Sequence, residues 1–437
     1  MANDTINTIA GIFFRKYLKE VIETVPSFGI IQAKLPVKDA ERIGESFVVP
    51  VLLAIEHGVT YSRSQNGAFA LNASVDGEIT QAIINSSQHV TRSTISYQAA
   101  AAATGDKDTS ADSAVRRVVK NNQIRTRKSI EIDFLYGQTG LATVVALNPA
   151  GSPANTIQIT ATEWSGAIWS GMKNALLAIL NAALTTKRTG TPGNNNNYTI
   201  VSVNTSQKWI TLDATGFGNI VATDVLFFGG SASDQVIAGP THNVCVGLHK
   251  QLTTTTGTLF GLNVGNNDVL QGNVIDAAAQ RISFDMVQAG IAATMDHGND
   301  GPKMVLLVNP LNWSRLNSDV AANRRYDTSY RGGAKGEEGV EQIFYHSPIG
   351  VLEIISHPFV KQGYAYGFSW DELHRPGETD LTYQRAVGPG MDRLDPAGVY
   401  FKDLENFAGY ELRAYHSSAI YHPVPSHAFV IQNINPA

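Results

Sequence analysis

Arg116-Arg117-Val118-Val119-Lys120, continued downstream by Ile130-Glu131-Ile132-Asp133-Phe134-Leu135-Tyr136-Gly137, reads as the two ends of one long helix. Thr109, Ser110 and Asp112 offer cap-type side chains ahead of it, and Gly137 stands where it would stop. The pattern therefore predicts a helix over 112–136. At 100° per residue Val115, Val118, Val119 and Ile130 share one arc, and Arg116, Arg117, Lys120, Arg127 and Lys128 take the other side. Such a basic stripe is usually a solvated or salt-bridged face. It is also all that sequence-independent phosphate contact requires.

Ahead of this rod, residues 45–105 look extended. Phe47-Val48-Val49-Pro50-Val51-Leu52-Leu53 and the β-branched stretch at 89–97 favour strands, and Ser64-Gln65-Asn66-Gly67 and Asp76-Gly77 favour turns. A two-stranded arm of this kind is marginal alone, so it is expected to lie on another domain or subunit, with Ser64, Gln65, Asn66 and Gly67 at its tip. Further upstream, apolar residues at helical spacing over 6–25 end at Pro26 and predict a packed terminal helix.

Beyond the rod, residues 141–272 read as β-rich, with one helix candidate at 168–184. The Gly- and Asn-rich break from Thr189 through Asn197 marks 190–265 as an inserted β subdomain. A helix is predicted over 274–295, a buried strand at 304–308, and a second helix over 310–325 with Pro310 at its start. Strands dominate from 343 onward, and no repeat of 20–50 residues is present. The fold class is α+β.

Composition narrows the function. The 437 residues imply two or three domains. The formal net charge of -5 argues against a dedicated nucleic-acid binder, and a charged fraction of 16% is low for a soluble protein. Cys245 is the only cysteine, so no intrachain disulfide forms, in keeping with a reducing compartment. No signal-peptide pattern is evident, and no apolar run is long enough to span a bilayer, so no membrane partner is expected.

Catalytic and metal signatures are weak. His242, Cys245 and His249 match no standard zinc spacing. Asp106-Lys107-Asp108-Thr109-Ser110-Ala111-Asp112 lacks the glycine and glutamate of a calcium loop. Gly332-Gly333-Ala334-Lys335-Gly336 lacks the hydroxyl partner of a phosphate loop and is read as a mobile loop at a subunit contact. No catalytic, cofactor-binding or metal site is predicted, and the chain is not expected to be an enzyme.

The order of terminal arm, extended hairpin, long helix and a mixed α/β region returning to strands resembles the Hong Kong 97 type capsid fold of tailed-phage major capsid proteins. Lys303-Met304-Val305-Leu306-Leu307-Val308-Asn309-Pro310 is similar to the strand of that family's axial domain. Val225-Leu226-Phe227-Phe228 and Thr258-Leu259-Phe260-Gly261-Leu262 resemble segments of coat proteins that carry an inserted β subdomain. The resemblance implies an N-terminal arm (1–44), an extended loop (45–105), a peripheral domain with its spine helix (106–189), the insertion (190–265), an axial domain (266–385) and closing peripheral strands (386–437). It implies a subunit that self-assembles into hexamers and pentamers of an icosahedral virion shell in the host cytoplasm. The implied partners are portal and scaffold proteins, a decoration protein on some shells, and packaged double-stranded DNA. On that reading the basic residues of the helix face the genome. An encapsulin-like compartment, an enzyme and a tail component are the alternatives. The family's lysine-mediated covalent link has no nucleophile in this extended loop, which holds no lysine between Lys38 and Lys107.

Overall fold

The structure, a computed structural model, describes residues 29–37, 42–43, 46–62, 67–98, 114–232, 238–239, 241–301, 303–323, 343–347, 350–382, 401–403 and 407–436. The predicted terminal helix at 6–25, the tip residues Ser64, Gln65 and Asn66, and the glycine-rich loop at 332–336 lie outside them. The chain divides into two units. The smaller takes in His89–Lys128 and Leu381–His416, and the larger takes in Phe28–Gln88, Ser129–Asp380 and Ser417–Ala437.

In the smaller unit, strand Ser87–Ser96 pairs with Gly409–Ser418, which also pairs with Phe401–Asp403. The N-terminal part of the long helix belongs here. The whole helix spans Ala114–Tyr136, close to the predicted bounds. Its contact with the sheet is polar. Asn122 donates through Nδ2 to the Thr91 carbonyl (3.1 Å) and to Ser93 Oγ (2.9 Å), and the Thr126 hydroxyl donates to Thr91 Oγ1 (2.8 Å).

The larger unit holds the main core. Six strands, Ala142–Leu147, Thr156–Ile159, Leu176–Leu180, Tyr198–Asn204, Trp209–Leu212 and Val225–Phe228, close into an antiparallel barrel. Ile157, Ile179, Tyr198, Ile200, Ile210 and Leu226 are fully buried in it. The predicted boundary at 190 thus falls inside the barrel, whose first strand begins at Ala142. The predicted helix at 168–184 is corrected: its Leu176–Leu180 portion is a strand pairing with Val225–Phe228 on one side and with Leu176↔Thr199 and Leu177↔Tyr198 on the other. Left-handed backbone at Gly171 and Asn174 interrupts the helical run just before it.

A six-stranded mixed sheet forms the second part of this unit. Its order is Asn273–Asp276, Phe429–Gln432, Ala365–Ser369, Met304–Val308, Gly350–Ser356 and Ile343–Ser347. Met304–Val308 is buried throughout, as expected, and lies parallel to Gly350–Ser356 and antiparallel to Ala365–Ser369. Helices Phe284–Asp296 and Pro310–Asn323 contribute Phe284, Val287, Ile291 and Leu316 to the cluster around Leu306, Val308 and Phe429. The predicted helix at 274–295 is split: Asn273–Asp276 is a strand parallel to Phe429–Gln432, and the helix starts only at Phe284.

The long helix ends inside this unit, where Gly137 and Gly247 meet backbone to backbone. Gly247 donates its N–H to the Gly137 carbonyl at 3.0 Å. A Cβ on Gly137 would lie 2.2 Å from the Cys245 carbonyl oxygen, so no larger residue fits.

Candidate assembly surfaces

Two surfaces correspond to the sequence expectations. The first is the hairpin of Ser46–Ala54 and Glu78–Asn85. Its register places Phe47 opposite Ile84, and Val49 opposite Ala82, on one face; Val48 opposite Ile83, Pro50 opposite Gln81, and Leu52 opposite Ile79 on the other. Phe47, Val51, Ala82 and Ile84 are buried in the main core. The hairpin base is therefore seated on its own chain.

The opposite face is largely exposed, with Phe260 and Gly261 beside Ile83. Leu52 is 56% exposed, Ile79 72% and Ile83 48%. Beyond the paired strands the arm continues as two runs joined by reciprocal His57–Val75 backbone hydrogen bonds of 3.0 and 3.1 Å. There Ile55, Val59, Tyr61, Phe69, Leu71 and Val75 are each more than half exposed. Gly67, the one described residue of the four predicted at the tip, is exposed with open space around it. Exposed apolar side chains in this number along one arm suit a contact surface.

The second surface is the basic side of the long helix. Lys120 and Arg127 are exposed and, seven residues apart, share a face opposite Asn122 and Thr126. Lys128 is turned away from them and buried. Burial, and then the neighbouring Arg125 charge, lowers its pKa to about 7. Arg116 and Arg117 stand in the first turn, outside the residues whose side chains are described. Of the apolar arc, Ile130 is fully buried in the main core, while Asn122 and Thr126 carry the hydrogen-bonded contact with the sheet. No helical-wheel hydrophobicity could reveal that.

Sequence reading also missed two arginines of the same unit. Arg92 and Arg413, with side chains 61% and 60% exposed, flank the nearly buried Glu411, Arg92 at 2.9 Å. The Arg413 hydrogen bond, with both guanidinium charges, holds the Glu411 carboxyl below its usual range. Only strand pairing brings the two arginines together, so no local spacing announces them.

The residues weighed as metal ligands sit apart in their roles. Burial pushes the Cys245 thiol up to about 12. His249 takes a 3.0 Å hydrogen bond with the Tyr366 hydroxyl, and burial lowers its pKa to about 3. His242 packs beside the Phe227 ring. Among the described residues, no group of three or more His, Cys, Asp or Glu is placed to hold a metal ion. No described helix is long and apolar enough to cross a membrane.

No family model and no curated protein matches the sequence. Solved structures do match in shape. A chain of the cyanophage A-1(L) capsid asymmetric unit superposes with a TM-score of 0.55 at 11% identity, over 99% of both chains. This chain has the fold of a phage capsid protein. Chains from the capsid of an empty GTA particle (TM-score 0.49, 8% identity, 99% of both chains) and of cyanophage P-SCSP1u (0.44, 11%, 99% of this chain and 96% of the other) are more distant. The superposition on the cyanophage A-1(L) chain takes in the barrel as well as the mixed sheet.

Proposed function

We propose that this chain is the structural subunit of a tailed-phage shell, a major capsid protein of the Hong Kong 97 type that encloses double-stranded DNA. The observation that carries the reading is the superposition on a cyanophage capsid chain across 99% of both chains. The exposed face of the arm supports it. Each large apolar side chain there gains about 1.5–3 kcal/mol when a neighbour covers it, enough in sum to drive association. In this assignment the arm that starts at the hairpin Ser46–Ala54 and Glu78–Asn85 is the extended loop, the Ala114–Tyr136 rod is the spine helix, the barrel is the inserted subdomain, and the mixed sheet is the axial domain. Lys120 and Arg127 face packaged DNA; portal, scaffold and decoration proteins are the further partners.

Expression of the full chain followed by negative-stain imaging tests the reading. Closed shells or hexameric and pentameric rings are expected. A chain that stays monomeric at high concentration, with and without the proteins encoded beside it, would overturn it. DNA of genome length inside filled particles is expected, and enzyme cargo in its place would make the shell a compartment.

A further inference from the structure

Helix Ile30–Lys34 has five residues, too short to be stable by itself, and its N-cap Gly29 offers no side chain to cap it. Distant residues do that work at both ends. The Glu131 carboxylate accepts the Ile31 N–H on Oε1 at 2.7 Å and the Gln32 N–H on Oε2 at 3.2 Å, as an N-cap side chain would. Arg375 donates through Nη1 to the Leu35 carbonyl, 3.3 Å away, just past the other end. A negative charge thus meets the helix's positive end and a positive charge its negative end.

Both charged groups are themselves fixed. Glu131 and His357 have fully buried side chains, 2.9 Å apart between Oε1 and Nε2. His357 Nδ1 accepts the Phe359 N–H at 3.2 Å, so the ring proton lies on Nε2 and is donated to Glu131. Arg375 is held by Asp380 (2.7 Å) and Ser418 (3.1 Å), over the Phe134 ring. The segment contributes only Ile31 and Leu35 to the core.

We propose that residues 29–35 form a latch: a helical turn docked through its backbone by Glu131 and Arg375, able to leave its socket as a unit while the long helix and the sheet stay folded. The socket reads backbone N–H and C=O groups, so its occupant is a short helical turn carrying two apolar side chains, and in this chain that occupant is the chain's own N-terminal segment.

Amide hydrogen exchange on the unassembled full-length Glu131→Gln variant tests this. The substitution keeps the shape and removes the charge. Exchange at Ile31–Leu35 should quicken roughly ten-fold or more while the amides of 131–136 and 429–432 keep their protection. Trypsin should then cut after Lys34, which is exposed, faster than in the parent chain. Unchanged exchange would mean that Ile31 and Leu35 alone hold the segment, and loss of protection throughout the unit would mean that it is ordinary core; either result overturns the proposal. If the variant does not fold, native-state exchange on the parent chain answers in its place. Amides of 31–35 that open together, at lower free energy than those of 131–136, are expected. Opening only with global unfolding would overturn the proposal. Both measurements use the unassembled chain, so neither depends on whether it builds a shell.

Discussion

Lys128 is a cation that folding deprives of water. In the unfolded chain a lysine titrates near its ordinary value of about 10.4, whereas here burial lowers it to about 7. Between those values the unfolded chain binds more protons than the folded one, so this residue makes stability rise with pH across that window and fall as pH drops toward 7. Replacing Lys128 by Met removes the titration. The rise in melting temperature between pH 7 and pH 10 should shrink in the variant, and a parent-like slope would show that Lys128 stays charged in the fold. Asp224 poses the opposite case. Its buried carboxylate takes Arg188 Nε and Nη2 at 2.8 Å each and the Val221 N–H at 2.9 Å, tying the barrel's strand ends together. Asp224→Ala should cost about 3–5 kcal/mol, read by urea denaturation, because it strands the Arg188 charge and an amide.

At the scale of the element, the hairpin has one face for its own core and one for something else. Phe47→Ala should cost the chain about 3–5 kcal/mol, since the ring is buried at the hairpin base. Leu52→Ser with Ile79→Ser should change chain stability by less than about 0.5 kcal/mol, because both side chains already face water. The same pair should abolish shell formation in sedimentation. Shells that form normally would show that this face of the arm is not a subunit contact. The long helix divides in the same manner, with Asn122 and Thr126 binding the sheet and Lys120 and Arg127 exposed.

At the scale of the whole molecule, assembled shells should be held without covalent links. The arm carries no lysine, and Cys245 is buried and has no second cysteine in its chain. Boiling in detergent should give single-chain bands, and a ladder resistant to reductant would reveal another bond. Lys120→Gln with Arg127→Gln should leave empty shells intact while lowering genome retention. Each exposed charge contributes about 0–1 kcal/mol at most, screened by salt, but it recurs in every subunit. Failure of the double variant to assemble would make these two residues part of a subunit contact, and unchanged retention would show that they do not hold the genome.

What the sequence determined by itself were the features written in local periodicity and punctuation. The long helix was legible from its helical periodicity and from Gly137, the strand Met304–Val308 from its unbroken apolar run, and Ser46–Ala54 from its β-prone residues; the β-branched stretch at 89–97, expected to complete the arm, pairs instead with Gly409–Ser418, and the hairpin's second strand is Glu78–Asn85. Tertiary structure decided everything that depends on a distant partner. Leu176–Leu180, rich in helix formers, became a strand because the barrel needed it between Val225–Phe228 and Tyr198–Asn204. Asn273–Asp276 left the predicted helix because Phe429–Gln432, from the far end of the chain, offered a parallel edge. The same holds for the surfaces. Lys128 has the composition of a stripe residue, but only the packed helix shows it buried. Glu131 and His357, 226 positions apart, meet only once the main core has formed. Propensity and periodicity act over a turn or two, whereas burial and pairing are settled by the whole chain at once.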